Sequence, residues 1–383
     1  MARRRSRRGR SLSAALLIIV AAALVVALSH HPAGTPTVAT GAQSGPTPTA
    51  RPAARKVHKA KARRKAAGAS ASSAATAARS RATAGALSLV VEPDAGLTPV
   101  YALLRSARHR LDIEIYELED NQATAILAAD ARRGVHVRVI LNAHYVGHYN
   151  QPAFAYLRAH GVAVRWAPPQ FTVTHEKAIV VDGRTAAIMT MNLTARYYST
   201  SREFVVVDRR RADVTAIAAS FANDWAGGGL PPSSPAALVW SPGAQDALVA
   251  LIASARHQVL AENEEMNDAA VTGALQAAAR RGVRVEVVMT RQSEWAGAFS
   301  ALARAGVAVR TYAYSAPLYI HAKAIVVDPG SHRARAFVGS QNFSVASLLY
   351  DRELGLITSQ AALVDRVAAV IRRDGAGGSA WRP

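Results

Sequence analysis

The chain has 383 residues, of which 50% are apolar and 19% are charged. This length fits about two domains with additional segments, and the composition excludes a chain that is disordered throughout. The sequence contains no cysteine, which excludes disulfides, thiolate zinc sites, iron–sulfur clusters and cysteine nucleophiles.

The formal net charge of +20 is concentrated at the amino terminus. Residues 1–86 contain 16 of the 46 basic residues and no acidic residue, whereas residues 87–383 contain 30 basic and 26 acidic residues. The body of the protein is therefore almost balanced in charge. A nuclease is expected to carry a basic groove in the body itself, so this balance argues against nucleic acid as the main partner.

The amino-terminal segment has the order of an export signal, with six arginines between Arg3 and Arg10 followed by the apolar run Leu12–Leu28. The run has 17 residues, about the shortest length that crosses a membrane, and no convincing cleavage site follows. We expect residues 1–29 to form an uncleaved signal anchor with a transmembrane helix, which holds the body at the cell membrane outside the cytoplasm. The alternative is a cleaved signal peptide and a secreted protein. The composition of residues 30–86 predicts a disordered basic linker.

From Leu87 onward, short β-rich runs alternate with helical stretches, a pattern that indicates an α/β fold. The pattern also repeats, because the segment 131–135 (ARRGV) returns as 279–283, which is 148 positions later. We therefore predict a tandem duplication of one unit, each copy a mixed β-sheet flanked by helices. The first unit is predicted to span residues 87–230 and the second residues 236–376.

The first unit shows its elements most clearly, and an Asp182-Gly183 turn between two apolar runs predicts a β-hairpin near its end. The predicted elements are, in chain order, a strand at Leu87–Val91, a helix ending near His109, a strand at Leu111–Glu117, a helix at Ala123–Arg133, a strand at Val135–Leu141, a helix ending before Gly161, a hairpin of Val173–Val181 and Thr185–Thr190, a strand at Glu203–Val207 and a closing helix.

The hairpin carries His175 followed two residues later by Lys177, and the second unit repeats this pair as His321 and Lys323. Side chains alternate across a strand, so each histidine and its lysine are expected on the same face. Lys177 and Lys323 are the only lysines of residues 87–383. Because a compact ammonium is not interchangeable with a guanidinium, we interpret both pairs as functional.

A second pattern follows each hairpin. Asn192 and Asn342 are each followed, eleven residues later, by an acid at the start of the next strand, Glu203 and Glu353. An isolated asparagine would be interpreted as a turn or helix-cap residue. Its recurrence after a His–Lys strand in both units favours a functional role instead.

Together these motifs resemble the signature of the phospholipase D superfamily, H-x-K-x-x-x-x-D followed by G-[ST]-x-N and then an acid, and both parts occur twice. The aspartates of the signature, Asp182 and Asp328, complete the candidate catalytic set, although their place at the hairpin turn favours a bracing role. Thr190 and Ser340 match its hydroxyl position and would bind substrate. Met189 replaces the glycine of the signature in the first copy, so a local adjustment of the backbone is expected there.

The resemblance implies a phosphodiesterase whose two histidines meet at a pseudo-twofold interface between the units. His175 is expected to attack phosphorus and form a phosphohistidine, and His321 to protonate the leaving oxygen and then activate water. The lysines and asparagines would hold the non-bridging oxygens, and Glu203 and Glu353 would fix the imidazole tautomers. No metal or other cofactor is expected, because two ammonium groups supply the positive charge.

We expect hydrolysis of phospholipids at a membrane surface, to phosphatidic acid and a free headgroup, by a monomer that carries both motifs in one chain. The sequence leaves open a metal-independent endonuclease acting on nucleic acid, a cardiolipin synthase-like transferase and a non-catalytic polyanion-binding protein. His144 and His148 follow a strand end and are predicted to be rim residues without a catalytic role.

Overall fold

Two mixed β-sheets, one built mainly from each unit, form the framework of a computed structural model whose described residues are 85–228 and 235–382. The predicted signal anchor and almost all of the predicted linker lie outside the described residues. Each sheet has eight strands, and the first sheet reaches this number by borrowing one strand from the second unit.

In the first unit, the strand order is β1-β7-β6-β5-β2-β3-β4. Its strands are β1 (Leu87–Glu92), β2 (Arg110–Ile115), β3 (His136–Leu141), β4 (Ala163–Trp166), β5 (Lys177–Val181), β6 (Thr185–Met189) and β7 (Ser201–Asp208). Its helices are α1 (Thr98–Arg105), α2 (Asn121–Arg132), α3 (Gly147–Ala159) and α4 (Arg211–Trp225), with a 3-10 turn at Ala195–Tyr197. Strands β2, β3 and β4 are parallel, and the remaining neighbours are antiparallel.

The second unit repeats this arrangement with the order β16-β11-β10-β9-β13-β14-β15-β8. Its strands are β8 (Leu238–Ser241), β9 (Gln258–Glu262), β10 (Arg284–Thr290), β11 (Ala308–Tyr312), β12 (Tyr319–Ile320), β13 (Ala324–Val327), β14 (Arg335–Gly339), β15 (Glu353–Thr358) and β16 (Ser379–Ala380). Its helices are α5 (Ala244–Ala253), α6 (Ala269–Arg280), α7 (Ala296–Arg304), α8 (Val345–Leu349) and α9 (Ala361–Gly377), with a 3-10 turn at Ser293–Trp295. The predicted tandem duplication is confirmed.

The corresponding helices α2 and α6 begin and end at matching residues in the two units. The carboxylate of Asp120 caps α2 by accepting from the backbone N–H groups of the first turn, and Asp268 caps α6 in the same way. Gly134 and Gly282 follow these helices with φ of 91° and 84°. Only glycine adopts this backbone conformation without strain, which is why both copies leave the helix at this point.

A shared apolar core joins the two units. Ile188 and Val206 of the first sheet belong to the same buried cluster as Val326 and Val338 of the second sheet. Two further clusters lie within the individual units. Burial of apolar surface therefore fixes the interface between the units, and residues 85–228 and 235–382 belong to one compact unit.

The hairpin strand of the first unit is shorter than predicted, because β5 begins only at Lys177. Before this point the backbone pairs with the second unit. The N–H of His175 donates to the carbonyl of Arg352 at 2.9 Å, and the N–H of Arg352 donates to Val173 at 2.8 Å. These bonds form a β-bridge between Thr174 and Arg352, so His175 lies at the interface instead of within the strand.

Helix α1 also ends earlier than predicted, at Arg105 instead of near His109. The backbone N–H groups of Arg108, His109 and Arg110 donate to the carboxylate of Asp182, at 2.8 to 2.9 Å. Because these groups are committed to the hairpin turn, they are not available to extend the helix.

The predicted transmembrane helix requires a correction. Within residues 85–228 and 235–382, no helix is both long enough and apolar enough to cross a membrane. The apolar run Leu12–Leu28, on which the prediction rests, lies outside the described residues.

Candidate active site

The two histidines meet at the interface of the units, and each contacts an acid of the opposite unit. Nδ1 of His175 lies 3.0 Å from Oε2 of Glu353, and Nδ1 of His321 lies 2.5 Å from Oε1 of Glu203. The histidine side chains are 12% and 16% exposed, so solvent reaches only part of each ring. A complete site therefore needs both units, and one copy of the chain supplies them.

Crossed β-bridges produce these crossed contacts. The segment before His175 pairs with the chain just before Glu353, as described above. In the same way, β12, which ends just before His321, pairs in parallel with the start of β7, which contains Glu203. Each histidine is therefore held by the backbone beside the acid that it contacts.

The two lysines are buried next to the histidines. Lys177 and Lys323 are 1% and 0% exposed. Each ammonium donates to the backbone carbonyl of the histidine two residues before it, at 2.7 and 2.5 Å. Burial lowers the pKa of Lys177 to about 7, although the charge of Glu353 acts in the opposite direction. The site thus holds two desolvated amino groups, which in their charged form suit an anionic substrate.

Two buried arginines, which the sequence analysis did not single out, connect the units behind the histidines. Arg352 donates from Nε to Asp224 in α4 at 2.9 Å, and Arg202 donates from Nη2 to Asp374 in α9 at 3.1 Å. Each arginine belongs to the unit opposite its aspartate. The signal was present in the sequence, because an Arg-Glu pair stands at the catalytic acid in both copies.

The two hydroxyl residues predicted to bind substrate lie behind the acids instead. Thr190 is fully buried and donates to Oε2 of Glu203 at 2.5 Å. Ser340, also fully buried, accepts a hydrogen bond from the backbone N–H of Leu354 at 3.2 Å. The hydroxyls hold the strand that carries each acid, and that they bind substrate stays a prediction.

Met189, which replaces the glycine of the signature, fits the packing of the first unit. In the second unit, a Cβ on Gly339 would lie 2.5 Å from the Cα of Gly355 on the neighbouring strand, so a side chain at position 339 would clash with that strand. In the first unit Met189 pairs with Val205, and both are buried in the unit's own core. The first unit therefore has room for the larger side chain.

The motif aspartates lie at the hairpin turns, away from the histidines. Asp182 and Asp328 have φ of 51° and 47°. Like Asp182, Asp328 accepts three backbone hydrogen bonds, from residues 256–258 at 2.7 to 3.1 Å. Burial acts in the opposite direction, but these bonds lower the pKa of both aspartates. Both brace the turn, and a catalytic role for either stays a prediction.

The two asparagines lie beside acids at the ends of β2 and β9. Asn342 donates from Nδ2 to Glu265 at 2.8 Å, and burial raises the pKa of Glu265 to about 7. Asn192 follows the same pattern, since the chain beside it pairs with the segment after β2. Its Oδ1 is buried and has no hydrogen-bond partner among residues 85–228 and 235–382. That these amides hold substrate oxygens stays a prediction.

The two histidines differ in electrostatic environment. Burial, and then the charges of Lys177 and Lys323, lower the pKa of His175 well below its usual value. His321 has a second carboxylate partner, because its Nε2 lies 3.2 Å from Oε2 of Glu264. Burial opposes it, but the charges of His321 and Lys323 lower the pKa of Glu264 below its usual range. His175 is therefore a neutral imidazole, while His321 lies between two carboxylates.

A cluster of three buried carboxylates lies behind His175. Ligand atoms of Glu114, Glu176 and Asp224 come within 4.8 Å of one another, the spacing of a possible metal site. The guanidinium of Arg352 already lies among them, 2.9 Å from Asp224 and 3.8 Å from Glu176. Burial also raises the pKa of Glu176 to about 7. Arg352 thus supplies the positive charge that the cluster needs.

His144 and His148 are exposed in the loop after β3 and at the start of α3. The His144 ring stacks on Tyr145, and its Nδ1 lies 2.7 Å from the backbone oxygen of Thr172. The His148 ring packs on Tyr149. These contacts are those of surface residues, in keeping with the predicted rim location.

The family described as "Cardiolipin synthase, PLD-like domain" matches residues 100–225 and 248–374, which is more than half of the chain. The chain belongs to the phospholipase D superfamily. Members of this superfamily are enzymes that act on phosphodiester bonds, both by hydrolysis and by transfer. A sequence comparison with curated proteins finds no match.

Two solved structures resemble the fold of this chain at low sequence identity. Phosphatidylserine synthase from Haemophilus influenzae Rd KW20 has a TM-score of 0.60 and 14% identity, over 77% of this chain and 87% of that chain. Polyphosphate kinase from Porphyromonas gingivalis has a TM-score of 0.59 and 15% identity, over 75% of this chain, which spans only 50% of the kinase. The phospholipase D family member Nuc from Salmonella typhimurium is 24% identical over 38% of this chain and 97% of its own, with a TM-score of 0.35.

Proposed function

We propose that the protein is a phospholipase D-type phosphodiesterase, which hydrolyses phospholipids to phosphatidic acid and a free headgroup through a phosphohistidine on His175. One observation carries this proposal. Two His–Lys pairs, each with an orienting glutamate from the opposite unit, converge on one interface. Such a pair of imidazoles divides a phosphodiester cleavage into two steps, with one ring as nucleophile and the other as acid.

In the first step, Nε2 of His175 attacks phosphorus with its lone pair while Nδ1–H donates to Glu353. The bond between phosphorus and the headgroup oxygen breaks, and this oxygen takes the proton from Nε2 of His321. The headgroup leaves as an alcohol, and the phosphatidyl group stays on His175. Lys177 and Lys323 stabilise the negative charge that develops on the non-bridging oxygens.

In the second step, the now neutral His321 removes a proton from water, and the water oxygen attacks phosphorus. The bond between phosphorus and Nε2 of His175 breaks, the ring regains its lone pair, and phosphatidic acid is released. Both histidines return to their starting protonation states. An alcohol in place of water would give transfer by the same route, since the chemistry at phosphorus is unchanged.

The acidic groups around the site support a lipid over a nucleic acid. Glu264 contacts His321 and Lys323 directly, and Glu265 follows it in the chain. Glu117, beside the predicted Asn192, is paired with Arg196 at 3.0 Å. A polyanionic strand gains its affinity from basic side chains along its path, whereas a phospholipid needs only one phosphate to be accommodated.

The test is a parallel assay of the full chain on three substrates: phosphatidylcholine vesicles, cardiolipin vesicles and single-stranded DNA. We expect release of phosphatidic acid from at least one of the two lipids, and no cleavage of DNA. His175→Ala should remove the activity, and His160→Ala, which changes an exposed histidine, should not. Cleavage of DNA without lipid turnover would overturn the phospholipase proposal in favour of a nuclease. Adding ethanol to the lipid assay distinguishes hydrolysis from transfer by the appearance of phosphatidylethanol.

A further inference from the structure

The two units differ at one position that touches the reacting groups. Tyr116 follows strand β2 in the first unit, and 148 positions later Glu264 follows strand β9 in the second. Each side chain lies against the histidine of its own unit. The pseudo-twofold symmetry of the site is therefore broken by an uncharged phenol on one side and a carboxylate on the other.

The Glu264 carboxylate contacts the two groups of the second unit that would meet the substrate. Its Oε2 lies 3.2 Å from Nε2 of His321 and 3.1 Å from Nζ of Lys323. Its Oε1 accepts a hydrogen bond from the hydroxyl of Tyr319 at 3.0 Å. The side chain is 18% exposed, so it lies at the open side of the site.

In the first unit, the Tyr116 ring packs edge-on against the His175 ring with 4.7 Å between centroids. Nζ of Lys177 lies 5.1 Å from the centre of the same ring. A phenol in this place shields the imidazole from water without adding negative charge. The His175 ring thus packs against an aromatic ring, whereas Nε2 of His321 faces a carboxylate.

We propose that Glu264 is a positioning residue that keeps a proton on Nε2 of His321, and that it thereby makes His321 the acid and His175 the nucleophile. With Glu203 at Nδ1 and Glu264 at Nε2, both ring nitrogens of His321 face carboxylate oxygens. A neutral imidazole has one N–H and satisfies only one of them, while an imidazolium donates to both. This assignment of roles rests on the proposed two-step reaction.

The other charged groups around His321 do not reverse this effect. Lys323 lies on its own segment, and His175 of the first unit is electrostatically coupled to it. Tyr319 is an uncharged neighbour whose ring centroid is 6.4 Å away. The two carboxylates are in direct contact with the ring, from β7 and from the segment after β9, so they dominate at short range.

Glu264 also has to leave these contacts when a phosphodiester binds. The leaving oxygen must approach the same Nε2 proton, and a non-bridging oxygen must approach the same Lys323 ammonium. The carboxylate thus occupies the second unit's anion site in the free protein. Removing its charge should tighten binding of a diester, seen as a lower KM, while kcat falls at alkaline pH because His321 loses its proton more easily.

The test follows the His321 resonance of the full chain by NMR as a function of pH, with His321→Ala providing the assignment. In Glu264→Gln we expect the midpoint to fall by about one pH unit or more, the size of effect that a contacting charge has. Glu294→Gln is the matched control, because Glu294 is exposed and its charge is felt at Glu264 without contact with His321. In Glu264→Asp, which keeps the carboxylate, the midpoint of the His321 titration should stay closer to that of the wild type.

The second arm measures kcat and KM on bis(p-nitrophenyl) phosphate for the same variants. The alkaline limb of kcat in Glu264→Gln should move to lower pH by the shift seen in the NMR titration. Coincident titrations of His321 in the wild type and Glu264→Gln would overturn the inference, even with full turnover of the diester. A clear NMR shift in a protein that cleaves neither this diester nor a lipid would instead support the inference about the His321 proton and overturn the proposed function.

Discussion

Nδ1 of His175 lies 3.0 Å from Oε2 of Glu353, a residue 178 positions away in the other unit. The reciprocal contact joins His321 to Glu203. At Nδ1, each histidine depends on an acid of the opposite unit, so the site needs both units. Catalysis then depends on which ring nitrogen of each histidine carries a proton.

Replacing Glu353 with glutamine should lower kcat about a thousandfold or more. A glutamine that turns its amide toward Nδ1 places the proton on Nε2, and a protonated Nε2 has no lone pair with which to attack phosphorus; the aspartate-to-asparagine change of a catalytic triad sets the scale. The measurement is kcat on a soluble diester. Glu286→Gln, on β10, is the control and should leave kcat unchanged. A loss of less than about tenfold in Glu353→Gln would contradict the orienting role.

The pH dependence of kcat should be bell-shaped with an acidic limb near pH 8. Burial raises the pKa of Glu353 to about 8, so below this pH the carboxyl is protonated, and its hydrogen bond with Nδ1–H of His175 loses the charge that strengthens it. The rate should therefore rise between about pH 6 and 8 as Glu353 ionises. The alkaline limb reports loss of a proton from the cationic groups of the site, which are the general acid and Lys177, whose pKa burial lowers to about 7. An acidic limb that remains at the same pH in Glu353→Gln would assign it to another group.

Asp182→Asn and Asp328→Asn should reduce stability and leave kcat within about twofold of the wild type. Each substitution removes the charge that accepts three backbone hydrogen bonds, which costs about 1–3 kcal/mol in the free energy of unfolding. Because the folded pKa of each aspartate is lowered, its contribution is complete above the unfolded pKa and is lost as the pH falls through the folded value. Urea unfolding at pH 7 and at pH 3 measures both effects. A large loss of kcat in a folded variant would return these residues to the catalytic set.

Arg352→Ala should be strongly destabilising, by about 3–5 kcal/mol, because it leaves buried carboxylates without their cation. Arg352 is fully buried and is the partner of Asp224 across the interface. Arg373→Ala is the control, since Arg373 is 54% exposed and pairs with a partly exposed Asp94. Its cost should be about 1 kcal/mol or less. Equal effects on the unfolding free energy would show that the buried pair does not hold the units together.

The sequence was sufficient to predict the duplication, the order of the main elements and the residues that converge on the site. It could not predict the crossed pairing of His175 with Glu353, because the repeat describes one unit at a time. The same limit explains why the predicted hairpin strand was too long. The sequence pattern predicted that His175 and Lys177 lie on the same strand, but His175 leaves the sheet to pair with the second unit.

The role of Glu264 was missed for a different reason. Motif comparison looks for what the two copies share, and this position is informative because the copies differ, with Tyr116 in the first. A motif records which residues recur and not how deeply they are buried, so it did not predict the burial of Thr190 and Ser340. Burial of both hydroxyls was visible only once β6 and β14 were paired with their neighbours.

The measurement that tests the central claim most directly is the mapping of a covalent phosphoryl group after rapid acid-free quenching of a reaction with a labelled diester. The account predicts label on His175 in the wild type, more persistent label on His175 in His321→Ala, where water is no longer activated, and no label in His175→Ala. Label on His321, or turnover by His175→Ala at the wild-type rate, would contradict it.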